Sequence, residues 1–159
     1  MPTKGFDEAF TKYLKELLPT FLKPSKKLQT LLEQLKNQKI QFVILTHCPK
    51  HLSEQILNKL KIKEFFPNNC IFYKENLIEK KHKGSKSFEL IKKTFNLEYS
   101  EMIITEDQKR NLFFPQQLGI KTVLITEQNL FPDKTLPELI PDKKYKSIEN
   151  FLEDFSTSF

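Results

Sequence analysis

The sequence predicts an α/β fold with a parallel sheet, and three observations carry that prediction. The stretch Met102–Ile125, MIITEDQKRNLFFPQQLGIKTVLI, begins with a short β-branched run (Met102–Thr105) and the acidic pair Glu106-Asp107. A polar turn, a helical stretch closed by Gly119 and a second apolar run, Lys121–Ile125, complete it. That order is strand, loop, helix, strand, which returns the second strand parallel to the first. The run Ile40–Leu45, IQFVIL, is continuously apolar, as a strand buried in a parallel sheet is. Segments of helical periodicity alternate with these runs along the chain. In open α/β sheets ligands bind at the carboxyl ends of the strands, so Glu106 and Asp107 stand where chemistry would be done.

In chain order, Phe10, Tyr13, Leu14, Leu17 and Leu18 recur at helical spacing over 7–18, and Pro19 ends the pattern. A second helix starts after Pro24 with Ser25 as its N-cap and Leu28, Leu31, Leu32 and Leu35 on one face. The strand 40–45 opens into Thr46-His47-Cys48-Pro49 and a helix striped by Leu52, Ile56, Leu57 and Leu60. Ile62, Phe65 and Phe66 lead to a short strand, Cys70–Tyr73. A lysine-rich loop over 79–86 precedes a helix with Phe88, Ile91 and Phe95 inward. Beyond Ile125, Pro132, Pro137 and Pro141 predict an extended tail crossing the surface, and 148–155 a closing helix.

A chain of 159 residues is expected to form one core. No apolar run approaches the roughly 20 residues of a membrane span and no signal-peptide core stands at the amino terminus, so a soluble, cytoplasmic protein is expected. Cys48 and Cys70 give no disulfide framework and read as reduced core thiols. The formal charge of +6 is nearly all lysine, and Arg110 is the single arginine. That excludes a Cys-x5-Arg phosphatase and argues against nucleic acid as a partner, because bidentate reading of phosphates and bases favours arginine. His47, Cys48, His51 and His82 match no zinc spacing.

Glu106, Asp107, Arg110, Asn111, Leu112, Leu118, Gly119 and the run Thr122–Ile125 stand at the spacings of a known motif. Met102–Ile125 resembles the fourth motif of the haloacid dehalogenase-like (HAD) phosphatases, in particular their pyrimidine-5′-nucleotidase-like branch. Gln108 replaces a serine of that pattern, and Pro115 and Gln116 replace Ala-Lys inside its helix. The stretch Tyr13–Leu35 is similar to that branch's passage from helical cap to core, and Ile44-Leu45-Thr46-His47 resembles the second motif, with His47 in place of asparagine. The resemblance implies a three-layer Rossmannoid domain, with 1–24 a cap-like helical segment and 25–159 the HAD-like core.

The resemblance also implies a reaction: an aspartate within Asp-x-Asp-x-Thr attacks phosphorus, the second aspartate acts as general acid and base, and Mg²⁺ offsets the charge. The candidate before Thr46 is Asp7-Glu8-Ala9-Phe10-Thr11, which has Ala9 where the second aspartate belongs and no apolar strand to present it. The first strand and first motif thus read as missing. Removal of that central strand would leave a gap of about 10 Å between Ile40–Leu45 and Met102–Thr105. Either the two strands pair directly or a strand from another chain fills the slot, a binding mode by strand addition.

By resemblance, Thr46 and Lys83 are the remnant phosphate-binding residues, and Glu106 and Asp107 a weak Mg²⁺ site; no catalytic residue is assigned. No cofactor is expected, with Mg²⁺ the one implied by residual activity. The leading expectation is a catalytically inactive HAD-like binding module for a protein or a phosphorylated ligand. The acidic tail Glu149–Phe159 with its Ser/Thr end resembles type IV secretion signals, which would make it a bacterial effector of the host cytosol. The alternative is a Mg²⁺-dependent HAD phosphatase acting on a nucleotide or other small phosphomonoester.

Overall fold

The computed structural model describes residues 22–127 and 139–158, together with Lys12 and Glu16. The chain divides into two compact units between Glu75 and Asn76. In the first unit, Ser25 keeps an extended backbone and its Oγ accepts the Leu28 N–H at 3.2 Å, which starts helix α1 (Lys26–Asn37) at the residue that the sequence names as N-cap. Leu31, Leu32 and Leu35 on its inner face are buried. Lys39 turns out of the helix at φ 65°, and the Ile40 N–H returns to the Leu35 carbonyl at 3.0 Å.

Strand β1 (Ile44–Leu45) pairs in parallel with β2 (Ile71–Phe72), and helix α2 (Lys50–Lys59) connects them with Leu52 and Leu57 buried. The predicted six-residue strand 40–45 is therefore two residues long. Its partner offers a ladder of only two residues, Gln41 is exposed, and Phe42–Leu45 are half-buried, not enclosed. The predicted strand Cys70–Tyr73 is centred correctly, and all four of its residues are buried.

The second unit contains helix α3 (Lys86–Phe95), strand β3 (Ile103–Glu106), helix α4 (Phe113–Gln117), strand β4 (Lys121–Ile125), strand β5 (Lys143–Tyr145) and helix α5 (Ile148–Thr157). Its sheet has the order β3-β4-β5 and all pairings are parallel. Pro115 is tolerated because it is the third residue of a five-residue helix, where its missing N–H has no partner to lose. Gly119 then reverses the chain at φ 80° and delivers it to β4. Leu112, Leu124 and Leu139 form a buried cluster with Ile104 and Phe113 against it.

Strand β5 has no apolar pattern, since Lys143 and Lys144 are exposed, and periodicity could not have found it. A polar knot places it instead. The carboxylate of Asp142 accepts both the Thr122 N–H and the Thr122 hydroxyl at 2.7 Å, and the Asp142 N–H donates back to Thr122 Oγ1 at 3.1 Å. Thr122 is fully buried, so the knot ties the approach to β5 onto β4. Ser147 caps α5 by accepting the Asn150 N–H at 3.2 Å, and Phe151 and Leu152 bury the inner face of that helix. The acidic tail thus serves as a packed helix.

The expected helix over 7–18, Pro132 and Pro137 lie outside the described residues, apart from Lys12 and Glu16, which are helical and exposed. The cap-like segment 1–24 likewise lies mostly outside them. No helix among the described residues is long and apolar enough to cross a membrane.

The hydroxyl and N–H of Thr122 hold the Asp142 carboxyl below the usual aspartate value of 3.8. A lowered native pKa stabilises the fold fully above the unfolded value, and that contribution is lost as pH falls through the native one. Thr122→Val should raise the Asp142 midpoint in a carboxyl-carbon NMR titration and cost about 1 kcal/mol near neutral pH. Its deficit against the parent should shrink in acid; an unmoved midpoint would refute the knot.

Candidate functional site

The loop before α3 is built so that one lysine turns inward. Glu79 Oε1 accepts the Lys86 N–H at 2.7 Å, at the start of α3. Gly84 makes room for it: a Cβ there would lie 2.4 Å from the Glu79 carboxylate. A tight turn, Lys83 N–H to the Lys80 carbonyl at 2.8 Å, exposes Lys83 and sends Lys81 into the interior, where it is 8 % exposed.

Lys81 meets Glu106, the last residue of β3. Lys81 Nζ forms an ion pair with Glu106 Oε1, and Asn111 Nδ2 donates to Glu106 Oε2 at 3.1 Å. Asn111 is itself held in the 3₁₀ turn after β3, its N–H on the Gln108 carbonyl at 3.0 Å. All three side chains are buried. A buried ion pair is tolerable when its remaining lone pairs are also satisfied, and Asn111 supplies that second donor.

A cleft of about 550 Å³ opens at the carboxyl ends of the three strands. Thr105–Asp107 line it from β3, Ile125 and Glu127 from β4, and Lys146–Asn150 from the entry to α5. Asp107 is half-buried on this wall and has no hydrogen-bond or ion-pair partner among the described residues. The donor set fits Mg²⁺ in one way. Each Glu106 oxygen already accepts one donor, from Lys81 or Asn111, whereas Asp107 can face a cation without giving up a partner among the described residues. One carboxylate supplemented by water and a substrate phosphate is a usual Mg²⁺ environment. Among the described residues no three His, Cys, Asp or Glu side chains converge, as a cage made only of protein ligands would require.

Of the residues named from sequence, the structure places Glu106 and Asp107 together at the end of β3. Thr46 lies in the first unit, half-buried, with its Oγ1 accepting the Cys48 N–H at 3.0 Å. Lys83 is exposed, and the lysine on the acidic pair is Lys81, two residues earlier. The resemblance could not separate these neighbours, because the turn between Lys80 and Lys83 decides which of them faces inward. Asn111 also went unnamed as a site residue, although it stood in the motif. Glu127, Lys146, Ser147 and Glu149 carry no motif and reach the cleft only because β4 and β5 are adjacent.

Residues 3–125 match the family model described as haloacid dehalogenase-like hydrolase. The chain belongs to that family. Two solved structures share the fold of this HAD-like protein at low sequence identity. A Thermotoga maritima protein assigned as a β-phosphoglucomutase has a TM-score of 0.79 at 17 % identity, with 100 % of this chain and 72 % of the other covered. A Haemophilus somnus protein assigned as a phosphoglycolate phosphatase has a TM-score of 0.77 at 21 % identity, with 97 % and 68 % covered. No curated protein matches the sequence.

Removing one member of the buried pair should be costly and removing both should not. Lys81→Met strands the Glu106 charge and is expected to cost about 3–5 kcal/mol in urea unfolding, while Lys81→Met with Glu106→Leu should recover most of that loss. A small, additive effect would mean that the two side chains do not form a buried pair in solution.

Proposed function

We propose that this HAD-like chain is a Mg²⁺-dependent phosphomonoester hydrolase acting on a nucleotide or another small phosphomonoester. The observation that carries the reading is the division of labour at the end of β3. Lys81 and Asn111 each engage one oxygen of Glu106, while the adjacent Asp107 stands on the wall of a ligand-sized cleft. Family membership and phosphoryl-transfer neighbours support the same reaction class.

Bound Mg²⁺ would act as a Lewis acid on the phosphoryl oxygens. Asp107 would hold that ion and so orient the phosphate at the mouth of the cleft. Glu106 would hold Lys81 in place, and Asn111 would fix Glu106. In the reaction class, a carboxylate oxygen attacks phosphorus, the bond to the leaving alcohol breaks, and the alcohol departs with a proton. Water then attacks the acyl phosphate, releasing inorganic phosphate and the carboxylate. The sequence assigns no attacking carboxylate, since Asp7-Glu8-Ala9-Phe10-Thr11 departs from the first motif, and those residues lie outside the described ones.

A second reading, a binding module without turnover, is supported by the sequence, which contains no Asp-x-Asp pair. In that reading β3, at the edge of its three-stranded sheet, would accept a strand from a protein partner.

Phosphate release from nucleoside monophosphates and 4-nitrophenyl phosphate, with and without Mg²⁺, separates the two. The hydrolase reading expects Mg²⁺-dependent release that Asp107→Ala lowers by at least about 100-fold. No release, or release indifferent to Asp107→Ala, favours the binding module.

A further inference from the structure

The formal charge of +6 is not shared between the two units. Residues 1–75, the first unit, hold 13 lysines against 7 carboxylates, whereas residues 76–159 hold 13 basic side chains against 13 carboxylates. The whole excess belongs to the first unit, and such an asymmetry between the halves of a chain points to an anionic partner. It is carried by lysine alone, because Arg110, the single arginine, stands in the second unit.

Part of that excess is gathered in one place. The carboxyl ends of α1 and α2 converge on the 3₁₀ turn Lys63–Phe65. Lys36 Nζ of α1 lies 5.8 Å from the centre of the Phe65 ring, Gln29 Nε2 donates to the Leu60 carbonyl at 3.4 Å, and the Phe65 N–H donates to the Ile62 carbonyl at 3.1 Å. Lys36, Lys39, Lys59 and Lys61 are exposed on these ends, and half-buried Lys63 donates to the Phe66 carbonyl and Asn68 Oδ1 at 3.2 and 2.9 Å. The carboxylates on the same elements are Glu33, Glu54 and Glu64, of which Glu54 accepts the Tyr73 hydroxyl at 3.3 Å.

Two of these lysines stand where a side chain is costly. Both helices end on the same reversal: the Lys39 and Lys61 N–H groups donate to the Lys36 and Asn58 carbonyls, and the Ile40 and Ile62 N–H groups to the Leu35 and Leu57 carbonyls. Lys39 and Lys61 themselves adopt φ 65° and 55°, the left-handed backbone at which glycine is the usual and unstrained residue. A lysine near a helix carboxyl end complements the dipole, but Lys36 and Lys59 already supply that charge. The dipole gives no reason to strain the backbone for a second lysine at each end.

We propose that this lysine face is a docking surface for an anionic lipid bilayer. Lysine carries a compact, strongly hydrated charge on a flexible stem. It is attracted to a smeared layer of charge without the fixed hydrogen-bond fork that nucleic-acid phosphates and bases favour. The contact is peripheral and requires no membrane-spanning helix. It does not rest on the hydrolase reading, whose cleft is lined by residues of the second unit.

Co-sedimentation of the full chain with vesicles tests the proposal. Phosphatidylcholine vesicles containing phosphatidylserine should bind it at about 0.05 M salt, pure phosphatidylcholine should not, and about 0.5 M salt should abolish the binding. Each lysine near the surface contributes about fivefold, so Lys39→Gly with Lys61→Gly should weaken binding about 25-fold. The same two changes relieve the left-handed strain and should raise the urea midpoint, which separates lost binding from lost folding. Lys39→Gln with Lys61→Gln should weaken binding equally without that rise. Lys93→Gln with Lys144→Gln, exposed lysines of the second unit, should change it by less than about twofold.

Absence of binding to anionic vesicles, equal binding to pure phosphatidylcholine, binding kept by the Lys39→Gln, Lys61→Gln variant, or an equal loss in the second-unit control would each overturn the proposal. Tighter binding of duplex DNA or of poly-glutamate at the same salt and charge concentration would overturn it in favour of a nucleic-acid or an acidic-protein partner.

Discussion

The second unit depends on one constraint: a lysine and a glutamate are buried together at the end of a strand, and neither is tolerable there alone. Glu106 ends β3 inside the unit, and Lys81 comes to it from a loop 25 positions earlier in the sequence. Asn111 completes the carboxylate's coordination from the turn that follows. Three separate segments are thereby fixed to one another by hydrogen bonds that burial makes strong and their loss makes expensive. The next residue, Asp107, is held in place by this arrangement without taking part in it. A strand end so pinned presents a carboxylate to a cleft at little further entropic cost, which is what a pre-organised metal and phosphate site requires.

The rest of the cleft is positioned by the knot between Asp142 and Thr122. It brings the chain back beside β4 after the segment 128–138, and the parallel β4–β5 pairing then sets Lys146 and the capped start of α5 across from Asp107. Tyr145 packs edge-on against Phe151 at 5.5 Å and holds α5 to the strand before it. The cleft therefore inherits its shape from two polar anchors, the buried pair at the end of β3 and the knot at the start of β4.

Much of this was legible in the sequence, and for definite reasons. Ser25 as N-cap, the leucine stripe of α1, β4 at Lys121–Ile125 and the closing helix follow from capping and periodicity, which act over a few residues. The place of the acidic pair at the end of β3 was legible because a β-branched run leads directly into it. Three things were not. Strand β5 carries lysines and owes its place to Asp142. The run 40–45 satisfies every local test for a strand, but its length in the sheet is set by a two-residue partner. Lys81 and Lys83 are indistinguishable by residue type, and only the loop geometry that Glu79 and Gly84 impose decides between them. Local chemistry names the candidate residues, and long-range hydrogen bonds choose among them.

The proposed function requires that Asp107, next to the buried pair, face the cation and phosphate. Mn²⁺ substituted for Mg²⁺ in the presence of inorganic phosphate tests it directly, through paramagnetic broadening of backbone amides in the ¹⁵N-labelled chain. The account predicts broadening centred on Asp107 and Gln108 that Asp107→Asn abolishes and Asp142→Asn leaves unchanged. Broadening centred elsewhere, or surviving Asp107→Asn, would contradict it.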